Sequence, residues 1–356
     1  MSLVHNFSAG PSALPVPVRE RLVDALAVSP DGQPSVAEIS HRGKRFMDIA
    51  KELEERLRRL MDVGEEHAVV LMQGGANLQF AMLPMNFARG RRAAYLISGH
   101  WGQKALAEAS LVTETIVAGD SQAQNFISLP IIADLPDDCA YLHFTGNETI
   151  HGVQFKAPPD VLIPLAADLS SEFLSRPYPY ANLGFAYAGA QKNLGIAGLT
   201  VVLVRRDLLD QIPANLPRFL DYRTWVNGES MYNTPATLAW YVALETLRWI
   251  DDNGGLKGMA ERNRAKAAAL YAAIDGSDFY SNPVSEPARS VMNVPFWTVD
   301  ESLVGPFVEQ AEAAGLQGLK GHRALGGLRA SLYNALSLDS VEALIQFMHD
   351  FERRYG

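Results

Sequence analysis

What most constrains the fold of this chain is a recurring unit, in which a short apolar run ends in a turn and a more polar, helix-like stretch follows. Seven such runs stand at His67 to Met72, Arg92 to Ser98, Glu114 to Ala118, Ala140 to Thr145, Leu162 to Asp168, Phe185 to Ala188 and Leu199 to Val204. Several are apolar throughout rather than alternating, as strands covered by helices on both faces must be. The pattern predicts an α/β fold whose mostly parallel, seven-stranded sheet is flanked by helices. Phe46, Ile49, Leu53, Leu57 and Leu60 fall on one stripe at the roughly 3.6-residue period of a surface helix.

A second apolar-rich helix is predicted from Pro235 to Ile250, with Thr234 at its cap and Pro235 in its first turn. After it, Asp251-Asp252-Asn253-Gly254-Gly255 is a turn cluster and the best domain boundary. A chain of 356 residues has room for two domains at roughly 150 each, so a large domain over 16–253 and a smaller α+β domain over 254–356 are expected. No internal repeat or low-complexity segment interrupts this plan.

Charge and cysteine content narrow the function. Lys and Arg number 31 against 40 Asp and Glu, and the net charge of −9 repels nucleic-acid phosphate and anionic lipid. Any bound anion must therefore meet a local basic pocket. The apolar runs are too short to span a bilayer. The N-terminus lacks a basic stretch and is broken by Pro11, Pro15 and Pro17, so it does not read as a signal peptide, and a cytoplasmic protein is expected. The single cysteine, Cys139, offers neither an intrachain disulfide nor a zinc cluster, and no metal is expected. GxGxxG, GxxxxGK[ST], HExxH and GxSxG are all absent.

What the chain offers instead is a series of polar residues at the C-terminal ends of successive strands, where open α/β sheets bind ligands. Gln73-Gly74-Gly75-Ala76-Asn77 follows the first strand and opens an apolar helix. It is either a phosphate cup built from backbone N–H groups and a helix N-terminus or a tight turn that needs glycine. Trp101, flanked by Gly99 and Gly102, can stack on a planar ring or pack half-buried. Thr149 follows the fourth strand as a hydroxyl donor or as a turn residue. Asp168 closes the fifth strand, and Lys192 lies among small and apolar residues between the last two. A lysine there loses solvation, its pKa falls and it becomes a usable nucleophile; the bland alternative is a structural salt bridge with Asp168.

Together these elements meet the needs of pyridoxal 5′-phosphate: a phosphate cup, a ring stacker, a carboxylate for the pyridinium nitrogen and a lysine for the Schiff base. The ordered set Asn6-Phe7-Ser8-Ala9-Gly10-Pro11, Ser40-His41-Arg42-Gly43, Gly99-His100-Trp101, Asn147-Glu148-Thr149-Ile150, Gln191-Lys192-Asn193, Asn233-Thr234-Pro235 and Gly321-His322-Arg323 closely resembles the phosphoserine aminotransferase family, over nearly the whole length. The resemblance implies the fold type I architecture of pyridoxal-phosphate enzymes, with segment 1–15 near the active site. It implies amino transfer between glutamate and 3-phosphohydroxypyruvate, giving 2-oxoglutarate and phosphoserine in serine biosynthesis. A pyridoxine precursor as second substrate stays open.

By resemblance, Lys192 is the Schiff-base lysine and proton shuttle, Asp168 holds the pyridine nitrogen protonated, Trp101 stacks on the ring and Thr149 bonds its phenolic oxygen. Gln191 with the N–H groups of Ala76 and Asn77 takes the phosphate, while Asn233 and Thr234 arrive from a second subunit, so a homodimer with shared sites is implied. Arg329 is similar to the family's α-carboxylate arginine. His41 and Arg42, with His322 and Arg323 expected from the partner, resemble the substrate-phosphate site. Some members carry arginine where this chain has Asn77, which shifts the burden onto the other basic residues. A related transaminase, a desulfurase using Cys139, and a non-catalytic phosphometabolite-binding protein are the competing readings.

Overall fold

The computed structural model describes residues 4–27 and 32–356. All seven expected runs are strands of one sheet: β1 (His67–Gln73), β2 (Arg92–Ile97), β3 (Glu114–Asp120), β4 (Cys139–Thr145), β5 (Leu165–Asp168), β6 (Phe185–Gly189) and β7 (Leu199–Arg205). Their spatial order is β1-β7-β6-β5-β4-β2-β3. Every residue of β4, β5 and β6 is buried, which is why these runs do not alternate. The fifth run starts later than expected. Pro164 has no N–H for the ladder, and Leu162 is fully exposed ahead of it.

Parallel pairing holds among β3, β2, β4, β5 and β6, whereas β7 runs antiparallel to both its neighbours. The cause is connection length. Only residues 190–198 join β6 to β7, too few for the crossover of a dozen or more that a parallel pair requires. That hairpin loop carries Lys192, and its direction places the lysine at the same sheet edge as the C-terminal ends of the parallel strands.

The helix over Lys44–Met61 buries Phe46, Ala50, Leu53, Leu57 and Met61, with Ile49 and Leu60 only partly covered at the rim of that stripe. It packs on the helix Thr237–Asp252, where the rings of Phe46 and Trp240 lie 5.5 Å apart. This second helix differs from expectation at both ends. Its N-cap is Ala236, so Thr234 and Pro235 precede the first turn rather than form it. At the other end it absorbs Asp251 and Asp252, because the Asn253 amide caps the Trp249 carbonyl at 2.8 Å and Gly254 then turns at φ +85°.

A second apolar core lies under the three-stranded antiparallel sheet of Tyr280–Ser281, Asn293–Thr298 and Leu328–Ser331. Helices Gly255–Asp275, Val304–Ala313 and Leu338–Tyr355 supply most of its side chains. Phe7, from the far end of the sequence, completes it at 0% exposure, after His5–Asn6 pairs in parallel with Leu316–Gln317. The chain then passes Ala9 and Gly10 back over the first sheet, where the Ser12 N–H donates to the Gln191 carbonyl at 3.0 Å. The first three residues of segment 1–15 lie outside the described residues. Among the described residues, no helix is long and apolar enough to cross a membrane.

Phe7→Ala should therefore destabilise the protein by about 3 kcal/mol or more, the usual cost of emptying a buried aromatic site. Denaturant midpoints of the two proteins measure this; a change confined to a few tenths of a kcal/mol would show that the N-terminal segment is not part of that core.

Candidate active site

A cavity of about 590 Å³ opens at the C-terminal end of the sheet. The ends of β4 and β5 deliver polar groups there. Thr145 ends β4 and pairs in register with Asp168 at the end of β5, and Asp168 pairs with Tyr187 of β6. Both Thr145 and Asp168 line the cavity, together with Ala76, Asn77, Trp101, Thr149, Gln191, Lys192, His322 and Arg329. Gly74, at φ +102°, turns the chain from β1 into the helix Asn77–Phe87, a backbone that a side chain would strain. The Leu78 and Gln79 N–H groups turn back onto the Gly75 and Ala76 carbonyls at 3.1 and 2.9 Å, so that the N–H groups left for an anion at this helix N-terminus are those of Ala76 and Asn77, which line the cavity.

The electrostatics centre on Lys192. Its Nζ donates to Thr149 Oγ1 at 3.0 Å, and among the described residues no ion pair joins it to Asp168, so the salt-bridge alternative is not realised. Burial lowers the pKa of the ammonium to about 8; the Asp168 and Glu148 carboxylates oppose this and Arg329 adds to it. The same burial raises the Asp168 carboxyl above its ordinary value, against the pull of Lys192 and of a 2.9 Å bond from the Ser170 N–H. Trp101 places its ring centroid 6.0 Å from Lys192 Nζ and 5.2 Å from Lys104 Nζ.

Three cavity-lining groups are buried without a protein partner: Thr145 Oγ1, Trp101 Nε1 and Arg329 Nε. Buried donors in such a state call for a bound molecule. Arg329 sits over Thr149, its Nη1 donating to the Thr149 carbonyl at 3.4 Å, and burial lowers its pKa without a carboxylate to offset it.

The family model for class-V aminotransferases matches residues 4–344. The chain belongs to the class-V aminotransferases. A curated phosphoserine aminotransferase of Listeria monocytogenes is 48% identical over 353 residues, covering 99% of this chain and 97% of that one. The solved phosphoserine aminotransferase of Bacillus circulans subsp. alkalophilus superposes with a TM-score of 0.97 at 46% identity over 100% of both chains. A PLP-bound phosphoserine aminotransferase of Trichomonas vaginalis is 38% identical with a TM-score of 0.91, covering 98% of this chain and 100% of that one.

Not every expected residue reaches the cavity of this class-V aminotransferase chain. His41, Arg42, Asn233, Thr234 and Arg323 are absent from its lining. Arg42 is exposed, and its backbone N–H donates to Ser40 Oγ at 3.3 Å. The Asn233 amide donates to Gln73 Oε1 at 3.0 Å, and the Gln73 amide donates in turn to the Thr234 carbonyl. His322 departs from expectation in the other direction. It lines the cavity of its own chain, with its ring 5.6 Å from that of His100, so no second copy is needed to bring it there. Arg323 is exposed beside it, and its charge helps to lower the pKa of His100.

Two features went unread in the sequence. Glu148, fully buried, accepts the N–H groups of Trp101 and Gly102 at 3.1 and 2.8 Å. Asn147 donates to Ser171 Oγ at 2.7 Å and to Asn293 Oδ1 at 2.8 Å, tying the two sheets together behind the cavity. Both pairings span tens of residues or more, so no local spacing carries them. Cys139 opens β4 while Thr145 closes it, roughly 20 Å away at strand rise, which leaves the desulfurase reading without a thiol at the site.

In cofactor-free protein, acetylation of Lys192 followed by peptide mass spectrometry should give a pH midpoint near 8. Asp168→Asn removes a carboxylate that favours the ammonium, so the midpoint should move down. A midpoint that rises or stays would mean the two groups do not share a field.

Proposed function

We propose that this chain is a pyridoxal-phosphate-dependent transaminase that moves an amino group between glutamate and 3-phosphohydroxypyruvate, forming 2-oxoglutarate and O-phospho-L-serine. The observation that carries it is the lowered pKa of Lys192 within a cavity that also holds a buried carboxylate, a tryptophan ring and a helix N-terminus. The residues fit the cofactor: Asp168 would hold a proton at its pyridine nitrogen, Trp101 would stack on its ring, and Thr149 would bond its phenolic oxygen. Gln191 and the N–H groups of Ala76 and Asn77 would take its phosphate. Bound pyridoxal phosphate supplies the electron sink that stabilises negative charge at the substrate Cα.

Lys192 would carry the cofactor and, once displaced, take and return the proton at the substrate Cα, a task suited to an amine near neutral pKa. Arg329, half-buried and lacking a carboxylate, would clamp the α-carboxylate through its planar fork. His322 lines the same cavity and, with the exposed Arg323 next to it in the chain, would receive the substrate phosphate, or the side-chain carboxylate of glutamate in the other half-reaction. The uncharged Asn77 adds nothing to that charge.

The working unit we infer is a homodimer. His41, Arg42, Asn233 and Thr234 lie outside the lining of their own chain's cavity. Delivery by a second copy reconciles their position with the roles that the resemblance gives them. His322 lines the cavity of its own chain, the reverse of what the sequence reading expected, and we assign Arg323, its neighbour in sequence, to the same chain's site. A cytoplasmic location and a place in serine biosynthesis remain part of this proposal.

Borohydride should fix the cofactor to the peptide containing Lys192, and trapping on another lysine would sink the assignment. In a coupled assay, glutamate with 3-phosphohydroxypyruvate should far outpace glutamate with pyruvate or oxaloacetate; equal rates would point to another transaminase.

Mixing tests the shared site. Inactive Lys192→Ala chains combined with Arg42→Ala chains should regain activity, since one site of a mixed dimer keeps both residues. Lys192→Ala with Arg323→Ala should not. The opposite pattern would return Arg323 to the partner.

A further inference from the structure

The helix His100–Ala109 begins without a side-chain cap of its own, because its N-cap is Gly99. Its orphan N–H groups are met from elsewhere in the fold. Glu148, on the short strand Asn147–Glu148, inserts its carboxylate beneath the first turn and accepts from Trp101 at 3.1 Å and Gly102 at 2.8 Å. Gly99 is what makes room. A Cβ there would stand 2.6 Å from Glu148 Cδ and 2.8 Å from Oε2, closer than atoms can approach. Gly99, one of the two glycines that flank the His100-Trp101 pair in the sequence, is therefore the seat of a buried acid.

Glu148 is 0% exposed and is matched by no cation in an ion pair among the described residues. The groups that face it are few. The backbone N–H pair stands on the helix side, Asp168 on β5, Lys192 on the β6–β7 loop and Tyr187 on β6, with Arg329 acting on Lys192 from the second sheet. Burial raises the Glu148 carboxyl to about 7, and the two N–H bonds and Lys192 hold it down. It thus changes charge in the range where Lys192 also titrates.

We propose that Glu148 is a positioning residue for the aminotransferase site, holding the backbone of Trp101 in place and, by its charge, retaining the proton on Lys192. The inference rests on the reading of Lys192 as the lysine that carries the cofactor. The geometry accounts for both halves. One carboxylate bonds the segment that presents the indole, and the next residue in the chain, Thr149, takes the Lys192 Nζ bond at 3.0 Å, so the fully buried carboxylate and the amine are held on adjoining residues where an opposite charge acts strongly. A helix cap facing solvent would do the first and not the second.

The test uses full-length, cofactor-free protein and the acetylation midpoint of Lys192. Glu148→Gln keeps the shape and an acceptor oxygen but loses the charge, and the midpoint should fall by about half a pH unit or more. Gly99→Ala drives a methyl group into the carboxylate and should move the midpoint the same way. Glu148→Asp keeps the charge while shortening the reach, so the midpoint should stay near wild type while near-ultraviolet circular dichroism reports a displaced Trp101. Thermal melting establishes which variants are folded, and Gly99→Ala decides if Glu148→Gln is not. An unchanged Lys192 midpoint in a folded Glu148→Gln or Gly99→Ala protein overturns the proposal and leaves Glu148 a helix cap. Borohydride trapping on a different lysine would instead defeat the reading of Lys192 and leave the midpoint shift intact.

Discussion

Desolvation of one amine organises this molecule. Desolvation in the cavity wall lowers the Lys192 ammonium to a pKa of about 8, and the Asp168 and Glu148 carboxylates restrain the fall. Taken further from water, the amine would lose its proton at any working pH; given more carboxylate, it would not release one. Two buried acids oppose that fall, and each accepts backbone N–H bonds that favour its charged form against the burial that disfavours it. Asp168 has the Ser170 N–H, and Glu148 has a helix N-terminus.

Holding Arg329 in the cavity wall, over Thr149, falls to the buried polar groups between the two cores. Ser290 donates to the side-chain oxygen of Asn147, and Asn293 donates to Ser331 Oγ at 2.9 Å on the strand that carries Arg329. Beyond that strand, the buried Lys266 donates to the carbonyls of Leu332 and Tyr333 at 2.8 and 2.7 Å, and the Asn334 N–H donates to Asn193 Oδ1 at 3.0 Å, next to Lys192. Tyr333 in turn donates to the Ala9 carbonyl at 2.9 Å, which fixes the N-terminal segment across the cavity. Such a network is stable only when its members are satisfied, so it specifies one relation between the sheets and tolerates few others.

Charge is distributed to the same end. The chain as a whole is acidic, yet Arg329 and His322 line the cavity with His100, Lys104 and Arg323 close by, and burial together with these neighbouring cations lowers the pKa of His100 and His322. A dianionic substrate is repelled by most of the surface and attracted at one place.

The sequence alone determined the sheet. Several of its strands are apolar throughout, because burial on both faces leaves a central strand no other composition, and the strand ends followed within a few residues. Asp168 and Lys192 were legible for the same local reason, a charged group set among residues that cannot solvate it. The antiparallel turn of β7, the seat of Phe7 in the far core, the cis placement of His322 and the role of Glu148 were decided by the tertiary structure. Each depends on a contact between residues far apart in the chain, or on a connection whose direction is set by space rather than by neighbours, and local periodicity holds no record of either.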